Sequence, residues 1–562
     1  MKSLSALNAL LVASLPHLVA SVDPHVNLTY TQYLGQPTVT NVTQWLGMRY
    51  AAPPVRRLRF AHPYDAPNVD PRFTPEPALK HGPRCIPAKR YPIDESREDL
   101  WSEDCLFLNV FAPSNATPES KLPVFVYIQG LAFEVNSPAD LNGGGLVTAS
   151  NHSIIVVTFN YRVGPLGFLT GYDVLRREQA EGLRANAGFL DQQKALLWVQ
   201  RHISKFGGDP NHVVLGGSGA SLSWHLTAND GKDTGLFHAV AGSSPSWGHI
   251  PHHRDLQGEY LDFIRHMGCE FKSAEPESIC LQLRKTWQEI RNHNFSAHTD
   301  ESVHWGPVID DKVFKRTPFE AFRQGLFVRV PVISGDSTDS GKLFTPLRLS
   351  NPGDSSDFLL SRFPFLDRAD LGTISALYPY RYPDQASCRP YGCWWELASR
   401  VFGDISNQCP ALYTSLVVER EDVESYNYRY NVEDADYIDM GLGVTYGMEA
   451  MALFGLQNVP QIEGALPWPR SYLPGEPNSK STDVMQAYWI SFIRTFNPNS
   501  FRYPGSAEWV RFRNESSKER LRLDYGGKTS MEGVGRDILD KCSFFYNKVY
   551  PASGRPLEGR EE

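Results

Sequence analysis

A serine framed by glycines, in Gly216-Gly217-Ser218-Gly219-Ala220-Ser221, directly follows the apolar run His212-Val213-Val214-Leu215. Small residues on both sides permit a tight strand-to-helix turn, the geometry that lifts a nucleophilic hydroxyl clear of a sheet. Acyl transfer through such a hydroxyl needs three more parts: a base to take its proton, an acid to orient the base, and backbone N–H donors for the oxyanion. His225, His304 and His152 could each supply a base. By residue type alone, each is more often a core or surface histidine than a catalyst. A Gly/Ser-rich turn without chemical duties accounts for the motif about equally well.

Positioning such a turn requires a rigid sheet. Four short runs rich in β-branched residues read as buried parallel strands: 123–128, 154–159, 212–215 and 328–333. Between them, Phe189, Leu196, Val199, Ile203 and Phe206 recur at helical spacing, giving one core-facing stripe from Phe189 to Phe206. Gly207-Gly208 stops that helix, and Asp209-Pro210-Asn211 turns the chain into the next strand. A late helix is expected from Asp483 to Phe496. Strands alternating with helices imply a doubly wound α/β sheet, with a crevice at the carboxyl ends of its strands. No linker or repeat divides the chain, so residues 21–562 read as one large domain with long insertions.

Lys2 precedes an apolar run from Leu4 to Val19, broken by Pro16 and followed by small residues at Ala20 and Ser21. That is the pattern of a secretory leader over residues 1–20 rather than a membrane span. No later stretch reaches the roughly 20 apolar residues a bilayer demands. The polar ending Gly559-Arg560-Glu561-Glu562 does not fit a lipid-anchor signal. The expectation is a secreted or secretory-pathway protein without a membrane anchor. The net charge of −8 is mild and spread along the chain, with none of the basic stripe that nucleic acid requires. Eight cysteines suit an oxidising compartment, and on number alone they allow 105 pairings. No His-rich spacing accompanies them, so no metal site is expected. Asn-x-Ser/Thr sequons begin at Asn27, Asn41, Asn115, Asn151, Asn294 and Asn514, candidates for glycosylation.

Longer blocks name a family. Gly47-Met48-Arg49-Tyr50-Ala51-Ala52-Pro53-Pro54 with Leu58-Arg59-Phe60, and Ser102-Glu103-Asp104-Cys105-Leu106-Phe107-Leu108-Asn109-Val110, resemble signatures of the type B carboxylesterases. Asn160-Tyr161-Arg162-Val163-Gly164-Pro165-Leu166-Gly167-Phe168, the segment from Asn186 to Pro210, and Gln486-Ala487-Tyr488-Trp489 with Phe492 and Asn497-Pro498-Asn499 extend the resemblance over about residues 26 to 546. Gln129-Gly130 and Leu226-Thr227-Ala228 before Gly235-Leu236-Phe237 look most like the secreted fungal esterases and lipases. The resemblance implies an α/β-hydrolase fold, a large and mostly parallel central sheet flanked by helices. It also implies a buried ion pair between Glu103 and Arg162. Disulfides Cys85–Cys105, Cys269–Cys280 and Cys409–Cys542 follow the family pattern, while Cys388–Cys393 rests on spacing and departs from the common set. Trp101, the only tryptophan between Cys85 and Cys105, reads as packing rather than as a cation site.

At the site, the resemblance implies a Ser-Glu-His triad, and this chain departs from it. The acid position, in Gly335-Asp336-Ser337-Thr338-Asp339-Ser340-Gly341, falls on Ser340, with Asp339 adjacent. The base position, in Gly443-Val444-Thr445-Tyr446-Gly447-Met448-Glu449, falls on Tyr446. A free phenol, with a pKa near 10, is protonated at neutral pH and makes no ready base. The oxyanion donors would come from Gly130-Leu131-Ala132 and Gly219, where Leu131 brings bulk to a place of close backbone approach. The turn at Ser218 is about three residues shorter than its fungal counterparts, and a misplacement of about 1 Å can cost a hundredfold. The expected function is therefore non-hydrolytic: binding or transforming, for example cyclising, a small apolar molecule in the family's gorge without a cofactor. Two alternatives stand beside it. One is an active ester hydrolase with relocated base and acid; the other is a binding or adhesion protein, as in the usually membrane-tethered neuroligin-like relatives. The sequence fixes neither the ligand nor the oligomeric state.

Overall fold

The computed structural model describes residues 24–552 except 70–73, 89–92, 94–95, 98, 136–139, 271–275, 293–304, 381–387, 389, 461–465 and 514–517. The expected leader (residues 1–20), His304, Asn294 and Asn514 lie outside the described residues. The fold is built on an eleven-stranded sheet. Its strands in chain order are β1 (Gln36–Pro37), β2 (Val42–Arg49), β3 (Phe107–Pro113), β4 (Leu122–Ile128), β5 (Ile155–Phe159), β6 (Gly208–Ser218), β7 (Ala239–Ser243), β8 (Val332–Ser337), β9 (Ser425–Asn431), β10 (Glu519–Asp524) and β11 (Lys528–Gly533). They lie in the order β11-β10-β9-β8-β7-β6-β4-β5-β3-β2-β1. The seven strands from β10 to β5 are parallel, and antiparallel strands close both sides. This is the α/β-hydrolase architecture. Helices that matter below are α1 (Ala187–His202), α2 (Gly219–Gly231), α3 (Cys393–Gly403), α4 (Cys409–Arg420), α5 (Met448–Phe454) and α6 (Ser479–Thr495).

Central strands are covered on both faces, so their sequences run apolar without alternation. Val124, Phe125 and Val126 are fully buried, as are Ile155 to Val157 and Val213 to Leu215. Several expected boundaries move: the strand expected from His212 starts at Gly208 and takes in Asp209-Pro210-Asn211, and the late helix starts at Ser479 rather than Asp483. The strand expected at 328–333 starts only at Val332, because residues before it bond elsewhere: Val328 N–H reaches Leu226 O, and Pro331 has no N–H to give. The strand expected to stop at Leu215 continues to Ser218, because Gly216 and Gly217 carry it through a crowded passage. A Cβ on Gly217, whose φ is +119°, would stand 2.1 Å from Ile128 O, and one on Gly216 2.2 Å from the Phe125 ring.

The ion pairing also differs from expectation. Glu103 does not pair with Arg162. It receives both Nε and Nη2 of Arg59 at 2.6 Å, while Arg59 Nη1 donates to the carbonyls of Leu281 and Lys285. Arg162 instead grips Asp191, in the second turn of α1, through Nε and Nη2 at 2.7 Å each. Chain proximity decides the partners: α1 lies against the Arg162 segment, where Gly188 is packed close to Arg162 O. Four disulfides join Cys85–Cys105, Cys269–Cys280, Cys388–Cys393 and Cys409–Cys542. Trp101 is buried, and Arg84 lies over its ring at 5.4 Å. Asn27, Asn41, Asn115 and Asn151 are exposed. No described helix is long and apolar enough to cross a membrane.

Candidate active site

Strand β6 delivers Ser218 to the carboxyl edge of the sheet, in register with Ser243 of β7, and α2 begins at the next residue. Gly219 has to lack a side chain there, since a Cβ would stand 2.4 Å from Ser243 O. Across the edge, Gly130 (φ +132°) lies so close to Tyr161 that a Cβ would meet its hydroxyl at 2.5 Å. The expected oxyanion loop begins at this pinned glycine. Its Leu131 N–H already donates to Val135 O at 3.0 Å, and Glu134 N–H donates to Leu131 O. Leu131 therefore departs from an open donor in two ways, by side-chain bulk and by an engaged amide. Ala132 and Phe133 follow with φ of +53° and +61°, a left-handed conformation that costs non-glycine residues roughly 1–3 kcal/mol each.

Beside this loop lies a cavity of about 610 Å³. Leu131 to Glu134 form one wall, and Ala220 and Trp224 of α2 carry it to the elbow. Trp247, Phe344, Phe363 and Phe402 make much of the remainder apolar. Such a concave, largely apolar space with polar groups in its wall is the form small-molecule sites take.

The acid and base blocks meet, though through a different residue than expected. Asp339 N–H donates to Val444 O at 2.9 Å, and the Asp339 carboxylate accepts from Val444 N–H at 3.0 Å. Lys342 also pairs with that carboxylate at 3.1 Å. Asp339 thus fastens the backbone of the loop that carries Tyr446. Ser340 is buried, with its Oγ facing Gly403 of α3, where an added Cβ would stand 3.4 Å away. Tyr446 packs edge-on against Phe344, itself a cavity residue, with ring centroids 5.3 Å apart. It lies within electrostatic range of Tyr127 and Tyr161, whose hydroxyls burial pushes far above their ordinary values.

The candidate histidines lie elsewhere. His225 is buried in α2, where its Nε2 donates to Gln192 Oε1 at 3.0 Å while Gln192 Nε2 donates to Ser221 Oγ at 3.1 Å. Burial pushes its pKa down to about 3, which makes it a neutral core donor. His152 is half-buried and bonded to Thr40 O.

Glu449 was not singled out from the sequence. It lies in the first turn of α5, three residues beyond Tyr446, and is buried. Ser337 and the Gly447 backbone are polar neighbours, and burial raises its pKa to about 7. The readable signal was an acidic residue inside the otherwise apolar run Met448–Phe454. Among the described residues one group has the composition of a metal site: His252, His253 and Asp311. Arg254 lies 3.5 Å from the same carboxylate, and its N–H donates to His252 Nδ1, which leaves the Nε2 hydrogen facing Asp311. That arrangement is an ion-pair cluster.

The chain matches the model of the "Carboxylesterase family" over residues 22–537. It is 28% identical to Secreted lipase 4 of Gibberella zeae, over 90% of this chain and 88% of that one. It is also 28% identical to the acetylcholinesterase of Bungarus fasciatus, over 82% and 75% of the two chains. The crystal structure of Aspergillus niger EstA superposes with a TM-score of 0.85 and 34% identity, covering 95% of this chain and 99% of that one.

Proposed function

The chain belongs to the carboxylesterase family, and we propose that it has left ester hydrolysis for the binding or conversion of a small apolar molecule in its gorge. The observation carrying this reading is the cavity of roughly 610 Å³, lined in part by aromatic rings, that reaches the Ser218 turn at Ala220; the family pattern supports it, since its base and acid positions fall on Tyr446 and Ser340. Ligand binding needs shape and hydrogen-bonding groups, which polar side chains in the cavity wall supply among its aromatic rings. Hydrolysis needs an oriented base, and the base position of the family pattern carries Tyr446 here. The reading extends to secretion: four disulfides, the apolar leader and the similarity to a secreted lipase all fit a protein that leaves the cell.

The direct test is hydrolysis of 4-nitrophenyl butyrate by purified protein. Turnover is expected far below the usual enzymatic range of about 1–1000 per second. Turnover within that range, abolished by Ser218→Ala, overturns the reading. One observation favours a second reading, an active hydrolase with a relocated base: the buried carboxylate of Glu449 near Tyr446, with a pKa raised by burial to about 7. Under that reading, Glu449→Gln abolishes the same turnover.

A further inference from the structure

One stretch of the gorge wall is built unlike the rest. Between α3 and α4 the chain makes a π-helical turn, Asp404–Gln408, a wider winding that recurs at functional sites. Its backbone is held from several sides. Tyr550 Oη donates to Ile405 O at 2.7 Å, Trp247 N–H donates to Ser406 O at 2.8 Å, and Tyr378 Oη donates to the Asp404 carboxylate at 2.7 Å. Cys409, immediately after the turn, is tied to Cys542. The turn is thus a fixed element.

Two of its side chains do not share in this bonding. Ser406 and Asn407 are 2% and 1% exposed, and both line the cavity. Ser406 Oγ and Asn407 Oδ1 are buried without a hydrogen-bond partner. Their neighbour Trp247 offers no alternative, because its indole N–H is already given to Ser223 Oγ. Buried polar atoms are almost always paired, so two adjacent unpaired ones on a rigid turn, facing a cavity, mark the place of an outside partner.

We propose that Ser406 and Asn407 form a hydrogen-bonding subsite in the gorge wall for a hydroxyl group on an otherwise aromatic ligand. A hydroxyl fits because one group serves both: it donates to Asn407 Oδ1 and accepts from Ser406 Oγ–H. Both residues are neutral, so nothing in the pair calls for a charged ligand. Trp247 and Phe402, which line the same cavity, supply faces for an aromatic body. The assignment rests on the reading that the gorge takes a small apolar molecule, and it adds what that molecule carries.

The test compares 2-naphthol with naphthalene by equilibrium dialysis against the full-length protein. The wild type is expected to hold 2-naphthol about tenfold tighter, because a site built to bond a hydroxyl discriminates against the analogue lacking it. In the double variant Ser406→Ala, Asn407→Leu, that preference is expected to shrink to within about twofold, with naphthalene binding retained. Should the double variant fail to fold, Ser406→Ala alone serves, with an expected loss of about threefold in the preference. Equal binding of the two probes by the wild type, or a preference unchanged in the folded variants, overturns the subsite while leaving gorge binding intact. Binding of neither probe overturns the gorge reading and the subsite with it.

Discussion

Two regions on the same scaffold are built on opposite terms. Around Arg59, Glu103, Arg162 and Asp191, buried and half-buried charges meet in matched pairs with short, forked hydrogen bonds that leave one nitrogen, Arg162 Nη1, without a partner, and Cys85–Cys105 lies close by. Around the gorge, backbone and side chains are left in awkward states. Ala132, Phe133, Ser244 and Ser246 have positive φ, and Ser406 and Asn407 carry buried polar atoms without partners. The difference teaches where stability and where function reside. The first region holds the fold whatever the gorge does, while the strain of the second persists only because the first over-determines it.

The sharpest way to break the comparison is to break the frame. Asp191→Asn keeps the shape of the side chain but leaves the Arg162 guanidinium buried and uncompensated, which is expected to cost about 3–5 kcal/mol. Chemical denaturation measures it, with Asp65→Asn as reference: Asp65 also pairs with a cation, Lys194, but is largely exposed and its loss is expected to stay within about 1 kcal/mol. Equal losses at the two positions would show that the frame is not the stabilising region.

A second, smaller effect reads the gorge side through pH. Burial raises Glu449 to about 7 and Asp336 to about 8. In the unfolded chain both ionise near their ordinary values, so between about pH 4 and 8 the folded protein binds more protons. Stability from these two groups is therefore full on the acid side and is lost as pH rises through that window. His225 and His202, held near 3 and 4 by burial, act in the opposite sense below about pH 6.5. The informative quantity is thus the difference between wild type and Glu449→Gln. The variant is expected to gain on the wild type by on the order of 2–3 kcal/mol between pH 5 and 8. A difference flat with pH would mean that Glu449 is solvated after all.

The third change touches strain alone. Ala132→Gly removes the left-handed penalty at φ +53° and is expected to stabilise the protein by about 1 kcal/mol, measured as a shift in melting temperature. Destabilisation would instead show that the Ala132 methyl group packs more favourably than its backbone is strained.

Most of the frame was legible in the sequence because it is written in local chemistry. Apolar runs such as 123–128 declare buried strands, Gly207 declares a helix stop, and blocks of eight or nine residues declare the family. What was misread depends on partners distant in sequence. Glu103 chose Arg59 and not Arg162, and the strand expected at Val328 waited until Val332 because Leu226 captured the Val328 N–H. Of the gorge wall, the family pattern named Leu131 and Ala132. Ser406 and Asn407 gave no sequence signal, since a π-helical turn arises from tertiary bonding rather than from residue type.

The smallest expected effect is the most telling about how the two regions connect. Tyr446→His puts an imidazole at the base position, on a loop whose backbone Asp339 already holds. If a triad were only a list of residues, that one repair would recover much of the hydrolysis. A triad works as a unit, however, and single members contribute little without the others. On the proposed reading the acid position falls on Ser340, whose Oγ faces Gly403, and the Leu131 amide is spent on Val135. Tyr446→His alone is therefore expected to raise 4-nitrophenyl butyrate hydrolysis by less than about fivefold, under about 1 kcal/mol of barrier. Combining it with Ser340→Glu, Leu131→Gly and Ala132→Gly is expected to give far more than the product of the single changes, provided the short turn presents Ser218. Large recovery from the single variant would mean that a carboxylate, Asp339 being nearest in sequence to the acid position, already orients the base. No recovery from the folded quadruple variant would locate the defect in the Ser218 turn, and thereby in the part of the sheet edge where frame and gorge share residues.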